Sequence, residues 1–294
     1  MVRPGILLVD KPGGITSHDV VSRARRALGT RKIGHAGTLD PMATGLLVLG
    51  VEGATRLLTY IVGADKTYEA TILLGVETDS DDADGVETTR TDASATTDAQ
   101  IAEGIAALTG EIDQVPSTVS AIKVDGRRAY DLARAGEEVE LKARRVTVSR
   151  FDVRATRRTA TTIELDVVVD CTSGTYIRAL ARDLGRSLGV GGHLTALRRT
   201  RIGAFDVSAA ASVDEIAEDA LVEPATAAAV VVGALAVGAD EARDLRHGKR
   251  IDGGGRLTGT LAAAIDPDGR LVGIVERRGS QLKSAMNMPE EVAR

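Results

Sequence analysis

The segment between a predicted helix and a predicted strand reads Gly34-His35-Ala36-Gly37-Thr38-Leu39-Asp40-Pro41-Met42-Ala43-Thr44-Gly45. Its glycines and its proline favour a loop with restricted and unusual backbone dihedral angles. Catalytic groups are often placed on loops that rigid elements hold in position. Asp40 is therefore a candidate catalytic carboxylate, and the alternative is a structural turn in which its side chain bonds its own backbone.

Helices and strands are predicted on both sides of this loop without a regular βαβ repeat. Thr16 and Asp19 have near-capping-box spacing ahead of an amphipathic run that Gly29 can end. Hydrophobic periodicity predicts further elements: strands Gly5–Asp10, Leu46–Val51, Thr67–Gly75 and Thr162–Cys171, and helices Ile101–Leu108 (capped by Thr97 or Asp98), Tyr176–Leu188 and Asp240–His247. This order favours an α+β sheet protein over a doubly wound fold.

The C-terminal part of the chain predicts a small β-rich appendage. Asp266-Pro267-Asp268-Gly269 is typical of a turn, and it separates the predicted strands Leu261–Ile265 and Leu271–Glu276. The apolar run Ala225–Ala239 is interpreted as a domain junction that leads into a buried segment. A chain of 294 residues is long enough for one large and one small domain.

Composition places the chain among ordinary globular proteins. It has 43% hydrophobic and 27% charged residues. The single cysteine, Cys171, excludes a disulfide scaffold and favours a reducing cytosol. No export signal or segment long enough to span a bilayer is recognised, so the sequence predicts a cytoplasmic protein without a membrane partner.

Charge is unevenly distributed along the chain, whose formal net charge is −5. Residues 1–35 contain seven Lys or Arg and two Asp, whereas residues 76–103 contain nine acids and one arginine. The acidic segment is either a solvated loop or a surface that faces away from a polyanion. The polar segment Lys123–Arg145, with seven basic and five acidic residues, has the character of an arm that becomes ordered on a partner.

Several chemistries lack their sequence signatures. The four histidines and one cysteine are too scattered for a typical zinc site. No G-x-S-x-G elbow, P-loop or G-x-G-x-x-G motif follows a predicted strand, which argues against a serine hydrolase, a P-loop enzyme and a Rossmann enzyme. The classes of function that remain are an enzyme that uses a carboxylate and a protein that only binds a partner.

Ordered motifs over about 200 residues resemble the bacterial TruB family, the synthases that form pseudouridine at position 55 of tRNA. The loop carries the family motif HxGxLDPxATG from His35 to Gly45. Further matching motifs are Gly5-Ile6-Leu7-Leu8-Val9-Asp10-Lys11-Pro12, Asp65-Lys66-Thr67-Tyr68, Gln114-Val115-Pro116-Ser117, Ser120-Ala121-Ile122-Lys123, Gly174-Thr175-Tyr176-Ile177-Arg178, Asp183-Leu184-Gly185 and Leu197-Arg198-Arg199-Thr200.

The resemblance implies an isomerase that needs neither a cofactor nor a metal. Asp40 is implied as the nucleophile, which attacks either C6 of the base or C1′ of the sugar. The remaining implied roles are as follows: Tyr68 stacks on the flipped base, His35 helps to displace the nucleotide, Tyr176 and Leu197 line the pocket, Arg178 pairs with the catalytic carboxylate, and Lys11 supports the loop or a phosphate.

The resemblance also implies the fold and the partner. A catalytic domain at 1–228, with a mixed, mainly antiparallel sheet flanked by helices, is expected to carry an RNA-clasping insertion at about 123–145. Residues 229–294 are expected to form a PUA-like RNA-binding domain. The implied partner is the T-arm of tRNA, bound by a monomer without an obligate protein partner, with Arg23, Arg25 and Arg26 on phosphates.

Two other functions are compatible with the same sequence. One is an RNA-binding helper of tRNA folding, in which the isomerase site is of minor consequence. The other is a related synthase that modifies a different RNA. An Asp40→Asn variant distinguishes an enzyme from a folding helper, and mapping of modified tRNA distinguishes the substrates.

Overall fold

The computed structural model describes residues 2–117, 123–124, 127–128 and 141–289. The chain forms two compact units. Unit 1 comprises the described residues of Met1–Pro41, Gly45–Ala64 and Ile202–Arg294, and unit 2 comprises those of Met42–Thr44 and Asp65–Arg201. None of the helices in these described ranges is long and apolar enough to cross a bilayer.

The helices of the described residues are α1 (Ser17–Leu28), α2 (Leu58–Val62), α3 (Asp98–Ala107), α4 (Ile177–Ser187), α5 (Pro224–Val232) and α6 (Ala239–Arg246). The strands are β1 (Gly5–Lys11), β2 (Ile33–His35), β3 (Thr44–Val51), β4 (Lys66–Leu74), β5 (Val76–Thr78), β6 (Glu87–Arg90), β7 (Gly110–Gln114), β8 (Lys123–Val124), β9 (Arg127–Arg128), β10 (Arg144–Arg158), β11 (Ile163–Cys171), β12 (Gly192–Ile202), β13 (Phe205–Asp206), β14 (Ala211–Ser212), β15 (Ala234–Ala236), β16 (Ile251–Asp252), β17 (Leu261–Ile265), β18 (Leu271–Arg278) and β19 (Gln281–Asn287).

In unit 1 the N-terminal strand β1 lies between β3 and β14. It pairs antiparallel with β3 along its whole length and parallel with β14, and β2 adds to the other side of β3. The apolar face of α1 packs on this layer because Val20, Val21 and Ala24 recur at helical spacing and are all buried.

Helix α1 begins and ends where the sequence predicts. The Thr16 side chain accepts a hydrogen bond from the Asp19 amide, and the Asp19 carboxylate accepts from the Thr16 amide, which completes a capping box. Gly29 ends the helix in the left-handed conformation at φ 63°. The capping residue Thr97 of α3 is likewise confirmed.

Unit 2 is built on a sheet in the order β12, β4, β11, β10 and β7. The pairs β4 with β11, β11 with β10, and β10 with β7 are all antiparallel. Gly185 in α4 lets the helix lie against the chain before β12, because an added Cβ would be 2.2 Å from the carbonyl carbon of Gly191. The expected mainly antiparallel sheet with flanking helices is confirmed.

The C-terminal part of unit 1 contains a five-stranded sheet in the order β15, β17, β18, β19 and β16. Strands β17 and β18 form the predicted hairpin, in which Asp266 accepts the amides of Asp268 and Arg270 in the turn. Helix α6 packs on this sheet with Ala242 and Leu245 buried. The expected small β-rich appendage is therefore present.

Two elements were not predicted from the sequence. The run interpreted as a domain junction contains helix α5, which begins at Pro224. Proline is tolerated there because the amides of the first turn have no acceptor within the helix, so the missing N–H breaks no helical hydrogen bond. Strand β10 continues past the end of the predicted insertion to Arg158, and the residues of its C-terminal half, 152–158, are exposed. The predicted insertion at 123–145 lies mainly outside the described residues. Within its described part, β8 and β9 form a short antiparallel pair.

Candidate active site

Asp40 lies in the loop between β2 and β3, and the neighbours of Asp40 are held by hydrogen bonds to their backbones. The Ser17 hydroxyl donates to the Leu39 carbonyl at 3.1 Å and accepts the Leu39 amide at 2.8 Å. The Pro41 carbonyl accepts from the Gly14 amide at 2.9 Å. Asp40 itself is half-buried. The loop therefore holds the backbone of this carboxylate in one place while leaving part of the residue open to solvent.

Lys11 supports the same loop within unit 1. It is fully buried, and its ammonium donates to the carbonyls of Pro12, Ile15 and Pro41 at 2.9, 2.6 and 3.1 Å. A buried ammonium needs such acceptors because water no longer solvates it. Of the two predicted roles, the structure thus gives direct contacts for loop support.

His35 ends β2 and pairs in register with Leu49. It is half-buried, five residues before Asp40. The β2 and β3 ladder fixes the start of the loop, and Gly37 takes φ 91° within it, a conformation that favours glycine. The predicted glycine-dependent loop is confirmed.

The other predicted site residues belong to unit 2. Tyr68 is on β4, opposite Val169 of β11, and is 7% exposed. Leu197 is on β12 with the same exposure. Tyr176 is the residue that precedes α4, and Arg178 lies in the first turn of that helix.

Arg178 is held by a buried ion pair that no sequence pattern predicts. Its Nη1 lies 3.2 Å from Oδ2 of Asp82, and the two side chains are 4% and 5% exposed. The same nitrogen donates to the Ser80 carbonyl at 3.0 Å. Asp82 is fixed in turn because it accepts from the Ser80 hydroxyl at 2.6 Å and the Asp84 amide at 3.1 Å.

A second ion pair continues along α4. Arg182 lies 3.1 Å from Asp81 and donates to the Val115 carbonyl at 2.7 Å. Burial raises the pKa of Asp81, which Arg182 and other cations partly offset. The acidic segment is therefore not entirely a solvated loop, since two of its acids are placed inside unit 2 against the helix that carries Arg178.

Lys66 and Cys171 face each other across β4 and β11, two residues from Tyr68. Burial, with the nearby Arg199, lowers the pKa of Lys66 to about 8. Burial raises the pKa of Cys171 to about 11. Both shifts have the same origin, because a low-dielectric environment disfavours the charged form of either group.

These shifts predict opposite effects of pH on stability. Above pH about 8 the folded chain has lost the Lys66 proton that the unfolded chain keeps to about 10.5, so the free energy of unfolding rises with pH. From pH about 9 to 11 the folded chain keeps the Cys171 proton that the unfolded chain loses, so this group lowers the free energy of unfolding as the pH rises. A Cys171→Ala variant should therefore gain stability from pH 8 to 10, by at most about 1.4 kcal/mol per pH unit.

Urea unfolding at a series of pH values measures this effect. A Lys66→Met, Cys171→Ala double variant is the matched control, since it keeps the surrounding charges and lacks the titrating amine. Parallel pH profiles for the two variants would contradict the lowered pKa of Lys66.

Among the described residues no group of three or more His, Cys, Asp or Glu side chains is arranged to hold a metal ion.

Comparison with known proteins defines the class. Residues 25–177 match the TruB family pseudouridylate synthase N-terminal domain, residues 178–231 the tRNA pseudouridylate synthase B C-terminal domain, and residues 233–289 the tRNA pseudouridine synthase II C-terminal domain. The class is thus that of pseudouridine synthases, RNA-modifying isomerases.

Relatives and solved structures agree with this class. The tRNA pseudouridine synthase B of Leifsonia xyli is 56% identical over 100% of this chain and 99% of its own length, and that of Nocardia farcinica is 55% identical over 94% and 90%. A Cbf5-Nop10-Gar1 complex contains a chain with 25% identity and a TM-score of 0.68, with 98% of this chain and 84% of that chain covered. This chain belongs to the TruB family and is a tRNA pseudouridine synthase.

Proposed function

We propose that this enzyme converts uridine 55 in the T-arm of tRNA to pseudouridine, with Asp40 as the nucleophile and without a cofactor. The observation that carries the proposal is the loop of unit 1, in which hydrogen bonds hold both neighbours of a partly accessible Asp40. A carboxylate with a fixed backbone loses little entropy when it attacks a positioned substrate. The family motif from His35 to Gly45 supports the same residue.

The reaction is an isomerisation in which atoms balance within one nucleotide. The bond from N1 to C1′ breaks, the base turns, a bond from C5 to C1′ forms, and the C5 proton leaves while N1 gains one. Asp40 attacks C6 or C1′. The uridine must first leave its stack, at a cost of about a few kcal/mol.

The other predicted residues complete the proposal. Tyr68 stacks on the flipped base, His35 helps to displace the nucleotide, and Tyr176 and Leu197 line the pocket. Arg178 provides a positive charge for the catalytic carboxylate, and Lys11 holds the loop. Resemblance to the family supports these roles, together with the burial of Tyr68, Leu197 and Arg178.

The proposed substrate also implies the roles of the two domains, the oligomeric state and the cellular compartment. Residues 1–228 act as the catalytic domain with an RNA-clasping insertion at about 123–145, and residues 229–294 act as a PUA-like RNA-binding domain. The enzyme works as a monomer in the cytoplasm without an obligate protein partner. Release of tritium from a C5-labelled T-arm hairpin tests the target, and release that persists when uridine 55 is replaced would exclude this position.

Phosphates of the RNA are proposed to bind at the end of α1. Arg25, Arg26 and Arg31 line an open concavity of about 550 Å³ with Gly29 and Thr30, and no acidic side chain lines it. Two other cations of this region already face a carboxylate, since Arg23 lies 3.6 Å from Asp214 and Lys32 lies 3.5 Å from Glu52. The structure thus favours the three lining arginines over Arg23.

Removal of one lining arginine should weaken RNA binding and its salt dependence. Arg26→Gln and Arg31→Gln are each expected to reduce the slope of log affinity against log salt by about 1, because one fewer counterion is released. Filter binding of a T-arm hairpin at several salt concentrations measures the slope. Arg23→Gln is the control with the same charge change, and an equal effect of all three variants would contradict a localised phosphate site.

A further inference from the structure

The side chain of Gln114 forms two hydrogen bonds to the backbone of Tyr176. Its Oε1 accepts from the Tyr176 amide at 2.8 Å, and its Nε2 donates to the Tyr176 carbonyl at 3.0 Å. Gln114 is 2% exposed, and the two residues are 62 positions apart in the chain. Both polar ends of one carboxamide are thus used on a single residue.

The backbone around Gln114 is itself fixed. Gln114 is the last residue of β7 and pairs with Arg144 of β10. The carbonyl of the next residue, Val115, accepts from Arg182 at 2.7 Å. The end of β7 therefore contacts the helix α4 at Arg182 and the residue before that helix at Tyr176.

Tyr176 is the N-cap residue of α4, directly before the first residue of the helix. Its own side chain forms no cap hydrogen bond, and its carbonyl accepts the first helical bond from the Leu180 amide at 3.2 Å. The Tyr176 amide precedes the helix, so it has no partner within the helical ladder. Gln114 supplies that partner, and it defines where the chain enters the helix whose first turn contains Arg178.

We propose that Gln114 is a positioning residue for the isomerisation, which acts by fixing the backbone of Tyr176 and the start of α4. The inference rests on the proposed roles of Tyr176 in the pocket and of Arg178 at the catalytic carboxylate. A displacement of about 1 Å can lower a rate on the order of 100-fold. Loss of the two hydrogen bonds between Gln114 and the Tyr176 backbone, which we call the Gln114 clamp, should therefore slow mainly the chemical step.

The carboxamide is the side chain that fits because it offers one donor and one acceptor in the same plane. An ionised glutamate at this position keeps the acceptor for the Tyr176 amide but sets a second acceptor against the Tyr176 carbonyl. A protonated glutamate restores the donor. The variant Gln114→Glu therefore links the integrity of the clamp to pH.

The test compares single-turnover tritium release by wild type, Gln114→Glu and Gln114→Leu from pH 5.5 to 8.5, with a C5-labelled T-arm hairpin at saturation. Gln114→Leu should be slower by about 10- to 100-fold at every pH, with the dissociation constant of the hairpin changed by less than about threefold. Gln114→Glu should be equally slow at pH 8.5 and should recover several-fold, relative to wild type, as the pH falls.

Gln100→Glu is the matched control, since it makes the same charge change at an exposed capping position of α3 in the same unit. It should follow the wild-type pH profile. The folded fraction is measured by circular dichroism under each condition. Rates that fall only in proportion to the folded fraction, or a Gln114→Glu profile parallel to wild type, would overturn the proposal, whereas an active Asp40→Asn enzyme would instead overturn the proposed function.

Discussion

An Asp40→Asn enzyme is expected to release no measurable tritium from a C5-labelled T-arm hairpin, a fall of at least about 10⁴-fold, since loss of a nucleophile has effects of this order or larger. Asparagine has nearly the same shape but no carboxylate to attack carbon. The loop should keep its conformation, because Ser17 and Lys11 hold the backbones of Leu39 and Pro41.

Affinity for the hairpin separates loss of chemistry from loss of structure. We expect the dissociation constant to change by less than about threefold, because asparagine has nearly the same shape as aspartate and the substitution removes none of the cations that contact phosphates. Asp219→Asn is the control, with the same chemical change at an exposed position of unit 1. Turnover by Asp40→Asn within tenfold of that control would exclude Asp40 as the nucleophile.

The sequence alone predicted the features that depend on local chemistry. The capping box of Thr16 and Asp19, the left-handed Gly29 and the turn at Asp266 each involve residues a few positions apart, and each is present. The loop around Asp40 could be identified for the same reason, since its glycines and Pro41 restrict the backbone wherever the rest of the chain lies.

Features that depend on distant partners could not be predicted. Asp82 is one of nine acids in residues 76–103, and nothing local separates it from its exposed neighbour Asp84. Its partner Arg178 is almost a hundred residues away, so its burial is a consequence of tertiary structure. Gln114 is similar, because its partner Tyr176 is brought to it only when β7 and α4 have both formed.

Helix α5 was missed for a different physical reason. Its residues are nearly all Ala and Val, so no polar face reveals a period of 3.6. The division of the chain into units is also hidden, because unit 1 combines N-terminal and C-terminal segments that surround unit 2 in the sequence. The sequence favours one domain boundary, near residue 228, which stays a prediction.

An Asp82→Ala substitution is expected to lower the free energy of unfolding by about 3–5 kcal/mol, because it removes the carboxylate from a buried guanidinium. Asp82 lies 3.2 Å from Arg178 with both side chains almost fully buried. Urea unfolding measures the loss. Asp84→Ala removes an exposed carboxylate from the same loop and should cost less than about 1 kcal/mol.

A double substitution distinguishes the stability of this pair from its use in the reaction. Asp82→Leu combined with Arg178→Met replaces both charges by apolar groups, and it should recover much of the stability lost in Asp82→Ala, since no unpaired charge remains in the core. Tritium release should not return with it, because the guanidinium proposed to act on the catalytic carboxylate is gone. A stable double variant with wild-type turnover would show that Arg178 only stabilises the fold. A stable but inactive double variant would show that the reaction needs the positive charge of Arg178, even when the packing around it is kept.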